Sequence, residues 1–167
     1  IGMGQVMGVI REMRGKIKIE SREGEGTEFI LTFPKAEKPR WFVEKIEIKK
    51  GEEVVIVDDE ELMQEVWKAK LKEYEKDIRI KFFKEGKEAL KYLKSLENKD
   101  KVLLLTDYRL KGQEVTGIDI IEEAGMKERH ILVTGEEVSR IKDFNKKSTF
   151  LKMVPKMYIN DIPLRLE

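Results

Sequence analysis

Val102-Leu-Leu-Leu-Thr-Asp-Tyr-Arg-Leu110 is the stretch on which the reading of this chain turns. Its apolar run is too short to give a helix a core face of its own, and it suits a strand buried on both sides. Asp107 then falls at or just past the carboxyl end of that strand, where open α/β sheets gather their chemistry. Taken alone, an aspartate in that place is a turn residue. Its neighbours must decide between turn and site.

Outward from this strand the pattern alternates. Before it, residues 54–57 form an apolar strand ending in Asp58-Asp59, and residues 60–76 are predicted as a helix with Leu62, Val66, Leu71 and Tyr74 on one face. Residues 78–83 read as a second strand and 88–96 as a helix carrying Ala89, Leu90, Tyr92 and Leu93. After it come a short helix at 118–124, a buried strand at 131–134, a helix at 139–147 and a fifth strand at 149–154. Strands and helices in turn imply crossover connections and a parallel sheet covered on both faces, here a flavodoxin-like, doubly wound α/β sheet of order 2-1-3-4-5. Only eleven residues follow Lys156, Pro163 among them, so the last helix is expected to be short or missing and one sheet face to lack its usual cover.

Ahead of this pattern lie a short amphipathic helix at 5–13, stopped by Gly15, and a hairpin whose turn is Glu23-Gly-Glu-Gly26, ended by Pro34. The sequence thus divides into residues 1–34, a linker at 35–50 with an accessory strand at 43–49, and a main domain at 51–167. The chain starts at Ile1 without an initiator methionine and inside what reads as a motif, so Ile1 is expected to be a boundary within a longer protein.

Composition removes several classes of function. Lys and Arg total 34 against 33 for Asp and Glu, a formal charge of +1, so no global field favours nucleic acid or an anionic membrane. Lys146, Lys147 and Lys152 lack the interleaved aromatics of a nucleic-acid groove. The absence of cysteine excludes disulfides, thiolate metal sites and a cysteine nucleophile, and it fits a reducing, cytoplasmic setting. No apolar run approaches the roughly 20 residues that span a bilayer, and no membrane contact is expected of this chain.

In the 2-1-3-4-5 order, strands one, three, four and five end side by side, bringing together Asp58 and Asp59, Asp107, Thr134 and Lys156. Converging carboxylates repel one another and raise at least one pKa. A hard divalent cation such as Mg²⁺ resolves the conflict, since it takes oxygen ligands and is commonly completed by a phosphate oxygen. Lys156 then holds a second anionic oxygen and the Thr134 hydroxyl a third. Such a site suits phosphoryl transfer to a carboxylate. The other reading of Asp58-Asp59 is a cap and first-turn acid for the helix that follows.

Val54-Val-Ile-Val-Asp-Asp-Glu60, Leu103-Leu-Leu-Thr-Asp-Tyr-Arg109, Thr116-Gly-Ile-Asp-Ile-Ile121, Ile131-Leu-Val-Thr-Gly135 and Val154-Pro-Lys156 together resemble a receiver domain of two-component signalling. The resemblance implies Asp107 as phosphoacceptor, Asp58 and Asp59 as Mg²⁺ ligands, Arg109 lending its backbone carbonyl to the metal, Thr134 as switch hydroxyl and Lys156 as the phosphate-contacting lysine. It implies a histidine kinase or phosphotransfer protein as partner. The sequence departs from the family pattern in placing Pro155 before Lys156 rather than after it, and Met153 where an aromatic residue is common; Lys152 is the rival lysine. The single histidine, His130, is expected to pack or cap rather than accept phosphate. A pseudo-receiver that regulates without phosphorylation is the alternative. Gly2-Met-Gly4, Met13-Arg-Gly15, Gly24-Glu-Gly-Thr27 and Phe29-Ile-Leu-Thr-Phe-Pro34 are similar to the carboxyl-terminal end of a histidine-kinase ATP-binding domain, which implies a hybrid kinase layout. The other ATP boxes would precede Ile1, so no kinase activity is expected of this chain, only Mg²⁺-dependent chemistry at an aspartate.

Overall fold

The computed structural model describes residues 2–167. Two compact units are present, one running to Lys38 and the other Pro39–Glu167. The first holds helix α1 (Met3–Glu12) and the antiparallel strands β1 (Lys16–Arg22) and β2 (Gly26–Thr32). Ile17 pairs with Leu31 and Ile19 with Phe29, setting the apolar alternation on one face. Among the described residues of this unit Ile10 is the buried apolar one.

The second unit begins with a short strand, β3 (Ile46–Ile48), followed by β4 (Glu53–Val57), α2 (Glu61–Leu71), β5 (Arg79–Phe83), α3 (Gly86–Ser95), β6 (Val102–Thr106), α4 (Gly117–Glu123), β7 (His130–Thr134), α5 (Phe144–Lys147), β8 (Met153–Pro155) and β9 (Leu164–Leu166). Five of these strands form one sheet in the order β5-β4-β6-β7-β8, all parallel. Counted from β4, that is 2-1-3-4-5, the flavodoxin-like order expected from the alternating pattern. β4, β6 and β7 are buried along their whole length, as apolar runs without alternation require. Val55, Val57, Leu104 and Leu132 point into one core with α3 and α4, whereas Val54, Ile56, Leu103 and Val133 point into the other with Trp67 and Leu71 of α2.

Several expectations are corrected. The helix predicted over 60–76 ends as an α-helix at Leu71 and tightens to a 3₁₀ turn, Lys72–Tyr74. Its buried face is Gln64, Trp67 and Leu71, while Leu62 is 74% exposed, because the large indole sets which side turns inward. The helix predicted at 139–147 is a 3₁₀ turn, Val138–Arg140, and the single turn α5, separated by Asp143 in a left-handed conformation (φ 55). The fifth strand is only Met153–Pro155.

The sheet face expected to be bare is covered. In place of a last helix the chain makes a 3₁₀ turn, Lys156–Tyr158, and returns as β9, which pairs in parallel with β3. Ile46, Ile48, Ile159 and Ile162 of this ribbon are buried against Val54, Ile56 and Val154. Arg129 fixes the ribbon's far end: its guanidinium donates to the buried Glu52 carboxylate, at 2.9 Å from Nε, and to the Glu47 carbonyl at 3.2 Å. Among the described residues no helix is long and apolar enough to cross a membrane.

Candidate functional site

Strand register assembles the acids. Val57 pairs with Thr106, so Asp58 and Asp107 lie one residue past neighbouring strand ends. The Asp107 amide donates to the Val57 carbonyl at 2.8 Å, and the Asp58 amide to the Phe83 carbonyl at 3.1 Å. Each acid is thus held by a continuation of the ladder rather than by a free loop. Asp58 and Asp107 are buried and Asp59 is half-buried. One carboxylate oxygen from each lies within 4.8 Å of the others.

Thr134 ends β7 opposite Pro155, the last residue of β8. Lys156 is therefore the first residue beyond the sheet. Its Nζ lies 2.7 Å from Asp107 Oδ2, 3.0 Å from Asp58 Oδ2 and 3.0 Å from Glu60 Oε1. Lys152 is placed elsewhere, with Nζ 3.3 Å from the Glu128 carbonyl. The departure of Pro before Lys thus leaves a lysine at the acids, because the proline occupies the last ladder position.

Electrostatics follow from this enclosure. Burial pushes the Asp58 carboxyl up to about 6, against the lowering pull of the Glu60 amide and the Lys156 ammonium, with the Asp107 charge adding to the rise. Burial also works against the charged Lys156, but its pairs with Asp107 and Asp58 outweigh it and the net shift is upward. One ammonium serves two buried acids and one exposed acid, so negative charge remains in excess.

Residues that the sequence reading passed over hold the acids in place. Gln64 Nε2 donates to the Asp58 carbonyl at 2.8 Å, and its signal was a polar residue on the apolar spacing of α2. The Glu60 amide donates to Asp58 Oδ1 at 3.0 Å, closing a turn ahead of α2, but the N-cap is Glu60 and no side chain caps the helix, so Asp58-Asp59 is not its cap. The Thr106 hydroxyl donates to the Asp107 carbonyl at 3.1 Å. Gly117 starts α4 against that same carbonyl; a Cβ there would lie 2.0 Å from the Asp107 oxygen. Glu136 joins Arg109 at 3.1 Å, and its amide donates to Thr134 Oγ1 at 3.1 Å.

The donor set is entirely hard oxygen with a net negative charge, which fits Mg²⁺ and not a thiophilic metal. The carbonyls flanking Arg109 are used, Tyr108 by the Gly117 amide and Leu110 by the Gln113 amide, while among the described residues no hydrogen bond ends on the Arg109 carbonyl. His130 lies at the opposite pole of the sheet. Its Nδ1 meets the Met126 carbonyl at 2.9 Å and its Nε2 accepts from the Lys152 amide at 3.3 Å, the pattern of a neutral imidazole. Burial brings its pKa down to about 4.

No family model and no curated protein matches the chain. Solved structures do share its fold. The signal receiver domain of an HD domain-containing protein from Pseudomonas fluorescens superposes with a TM-score of 0.53 at 18% identity, covering 67% of this chain and 87% of that one. The response regulator TrrA from Thermotoga maritima, solved in complex with Mg²⁺ and BeF, gives 0.50 at 24% identity over 66% of this chain and 90% of its own. The receiver domain of a sensor histidine kinase from Pseudomonas aeruginosa, with a magnesium ion coordinated in its active-site cleft, gives 0.50 at 19% identity over 64% and 85%. The main sheet of this chain therefore has the fold of receiver domains.

Proposed function

We propose that residues 51–167 act as a receiver in two-component signalling, taking a phosphoryl group from a phosphohistidine onto Asp107 with Mg²⁺ held by Asp58, Asp59, Asp107 and the Arg109 carbonyl. The observation that carries the reading is the Lys156 ammonium 2.7 Å from Asp107 Oδ2 beside two further carboxylates at the sheet's carboxyl edge. In the transfer the P–N bond of the donor breaks, its electron pair staying with the imidazole, and a P–O bond forms to an Asp107 oxygen. Bound Mg²⁺ supplies charge neutralisation on the oxygens of the moving group. Lys156 follows Asp107 and pairs with a phosphoryl oxygen as a point charge. Thr134 donates its hydroxyl to another, keeping its acceptance from the Glu136 amide. The partner is a histidine kinase or phosphotransfer protein, and residues 1–34 are read as the end of a kinase ATP-binding domain in a hybrid layout, which the coding sequence upstream of Ile1 decides.

The test is direct. The chain incubated with acetyl phosphate and Mg²⁺ is expected to gain one hydroxylamine-sensitive phosphoryl group, absent without Mg²⁺ and absent in Asp107→Asn. No labelling, or labelling that survives Asp107→Asn, refutes the reading. A second reading, a pseudo-receiver working without phosphorylation, is motivated by Pro155 preceding Lys156 and by Met153 three residues before that lysine. An Mg²⁺ titration showing no binding to the folded chain selects it.

A further inference from the structure

The residues just before the main sheet lie along its edge. Met153 accepts from the Val43 amide at 3.0 Å and donates to the Trp41 carbonyl at 2.7 Å, and Phe42 bridges Met153 in parallel. Residues 41–43 are thus a strap on the outer edge of β8, the strand that delivers Lys156. Trp41 leaves a turn closed by the Phe42 amide on the Pro39 carbonyl at 3.0 Å and packs with the core under α3 and α4, whereas Phe42 and Val43 pack with the core under α2 and the β3–β9 ribbon; the Trp41 and Phe42 rings meet edge-on at 6.2 Å.

Both faces lead back to the site. On one, Tyr158 stands two residues beyond Lys156 in the same 3₁₀ turn and meets the Phe42 ring edge-on at 6.3 Å. On the other, Tyr108 directly follows Asp107 and its buried hydroxyl accepts from the Lys142 amide at 3.1 Å; two residues on, Phe144 meets the Trp41 ring edge-on at 6.2 Å. β8, Met153–Pro155, carries no aromatic residue, and the rings near it belong to the strap and to the turns that touch it.

We propose that the strap at residues 41–43 is the element that reads the state of the Asp107 site, through Lys156–Tyr158–Phe42 on one face and Tyr108–Phe144–Trp41 on the other. Its trigger rests on the reading of Asp107 as phosphoacceptor. Its wiring does not. The strap is half-buried and joined by two main-chain hydrogen bonds to the edge of the sheet, so it can open without the sheet centre opening. A shift of Lys156 from Asp58 and Asp107 onto a new anion turns Tyr158 against Phe42 and loosens it.

Amide hydrogen exchange on the full chain tests this, with Mg²⁺ and beryllofluoride as the site ligand and Asp107→Asn as a perturbation of the site that needs no ligand. Protection at Val43 and Met153 is expected to fall at least tenfold with the ligand and to change in Asp107→Asn, with Leu104 and Leu105 at the sheet centre unchanged. Protection gained around Asp58 and Asp107 on ligand addition with Val43 and Met153 unmoved overturns the inference and leaves the receiver reading standing. If the ligand does not bind, the receiver reading fails and Asp107→Asn alone decides: unchanged strap exchange in that variant overturns the inference, and altered exchange supports it. Tyr158→Leu, which leaves every site residue in place, is expected to loosen Val43 tenfold without ligand; no effect there also counts against the strap.

Discussion

Asp58→Asn should stabilise the fold at neutral and alkaline pH. Asp58 is 2% exposed and its carboxyl is pushed from 3.8 to about 6. A raised carboxylate is charged in the native state only against resistance. At pH 8 the unfolded chain carries the charge freely while the folded one does not, and at 1.36 kcal/mol per pKa unit this costs about 3 kcal/mol. That sum already includes the attraction of Lys156. Asparagine keeps an oxygen for the Glu60 amide, which bonds Asp58 Oδ1 at 3.0 Å, and leaves Lys156 with Asp107 and Glu60. Allowing for an imperfect match between amide and protonated acid, the expected gain at pH 8 is about 1–3 kcal/mol, or about 3–9 °C in Tm for a chain of this size. The gain fades toward acid: between pH 6 and 4 the native Asp58 takes up a proton that the unfolded chain does not yet bind, so wild type recovers about 3 kcal/mol that the variant does not, and below pH 4 the variant is the less stable by whatever the imperfect match of the amide costs. Urea unfolding at pH 8, 6 and 4.5, followed by the emission of Trp41 and Trp67, measures both curves. His130 titrates in both proteins, so their difference isolates Asp58. A variant less stable than wild type at pH 8, or a difference independent of pH, would refute the electrostatic account of this site.

Other consequences are separable from that one. His130 is neutral in the fold, with its pKa down to about 4 from 6.5; its contribution is present above pH 6.5 and lost as pH falls toward 4, about 3 kcal/mol in all, and His130→Phe should remove that acid loss from the urea midpoints. Gly117→Ala forces a methyl to 2.0 Å from the Asp107 carbonyl; it should cost about 1–3 kcal/mol as overpacking and reduce acetyl-phosphate labelling at Asp107 more than a Gly135→Ala control. Arg129→Met leaves Glu52, 1% exposed, without its cation; the loss should be about 3–5 kcal/mol by thermal melting, and Glu52→Gln in the same chain should restore part of it.

Where the sequence was readable, one period dominated. The runs at 54–57, 102–106 and 131–134 are short, apolar and without alternation and meet a polar residue at or just past their ends, as strands buried on both faces do, and the structure has β4, β6 and β7 there. Strand order followed from the alternation with helices, and with it the meeting of Asp58, Asp59, Asp107, Thr134 and Lys156 at one edge. Local signals failed where tertiary contacts overrode them. Asp143, in a left-handed conformation, broke what charge and length presented as one helix. Leu164-Arg-Leu166 is too short to announce a strand, and it is one only because Ile46–Ile48 offers an edge. Thr106, Gln64 and Gly117 support the acids through main-chain carbonyls, a role that residue type does not disclose.

The replaced last helix and the displaced lysine have a common cause. Because Pro155 closes β8 in register with Thr134, the chain leaves the sheet at Lys156 and turns at once. The turn Lys156–Tyr158 keeps the ammonium over Asp107 and buries Ile159 and Ile162 behind it. A helix starting at that point would be broken at Pro163 within about two turns. A three-residue strand needs only a partner edge, and Ile46–Ile48, fixed from behind by Arg129 and Glu52, is one. The acid edge and the ribbon are therefore joined through the single turn that holds Lys156, and substitutions in the ribbon core such as Ile162→Ala should weaken the hold of Lys156 on Asp107 as well as the fold. Mg²⁺ affinity that stays unchanged in Ile162→Ala while its Tm falls would break that link.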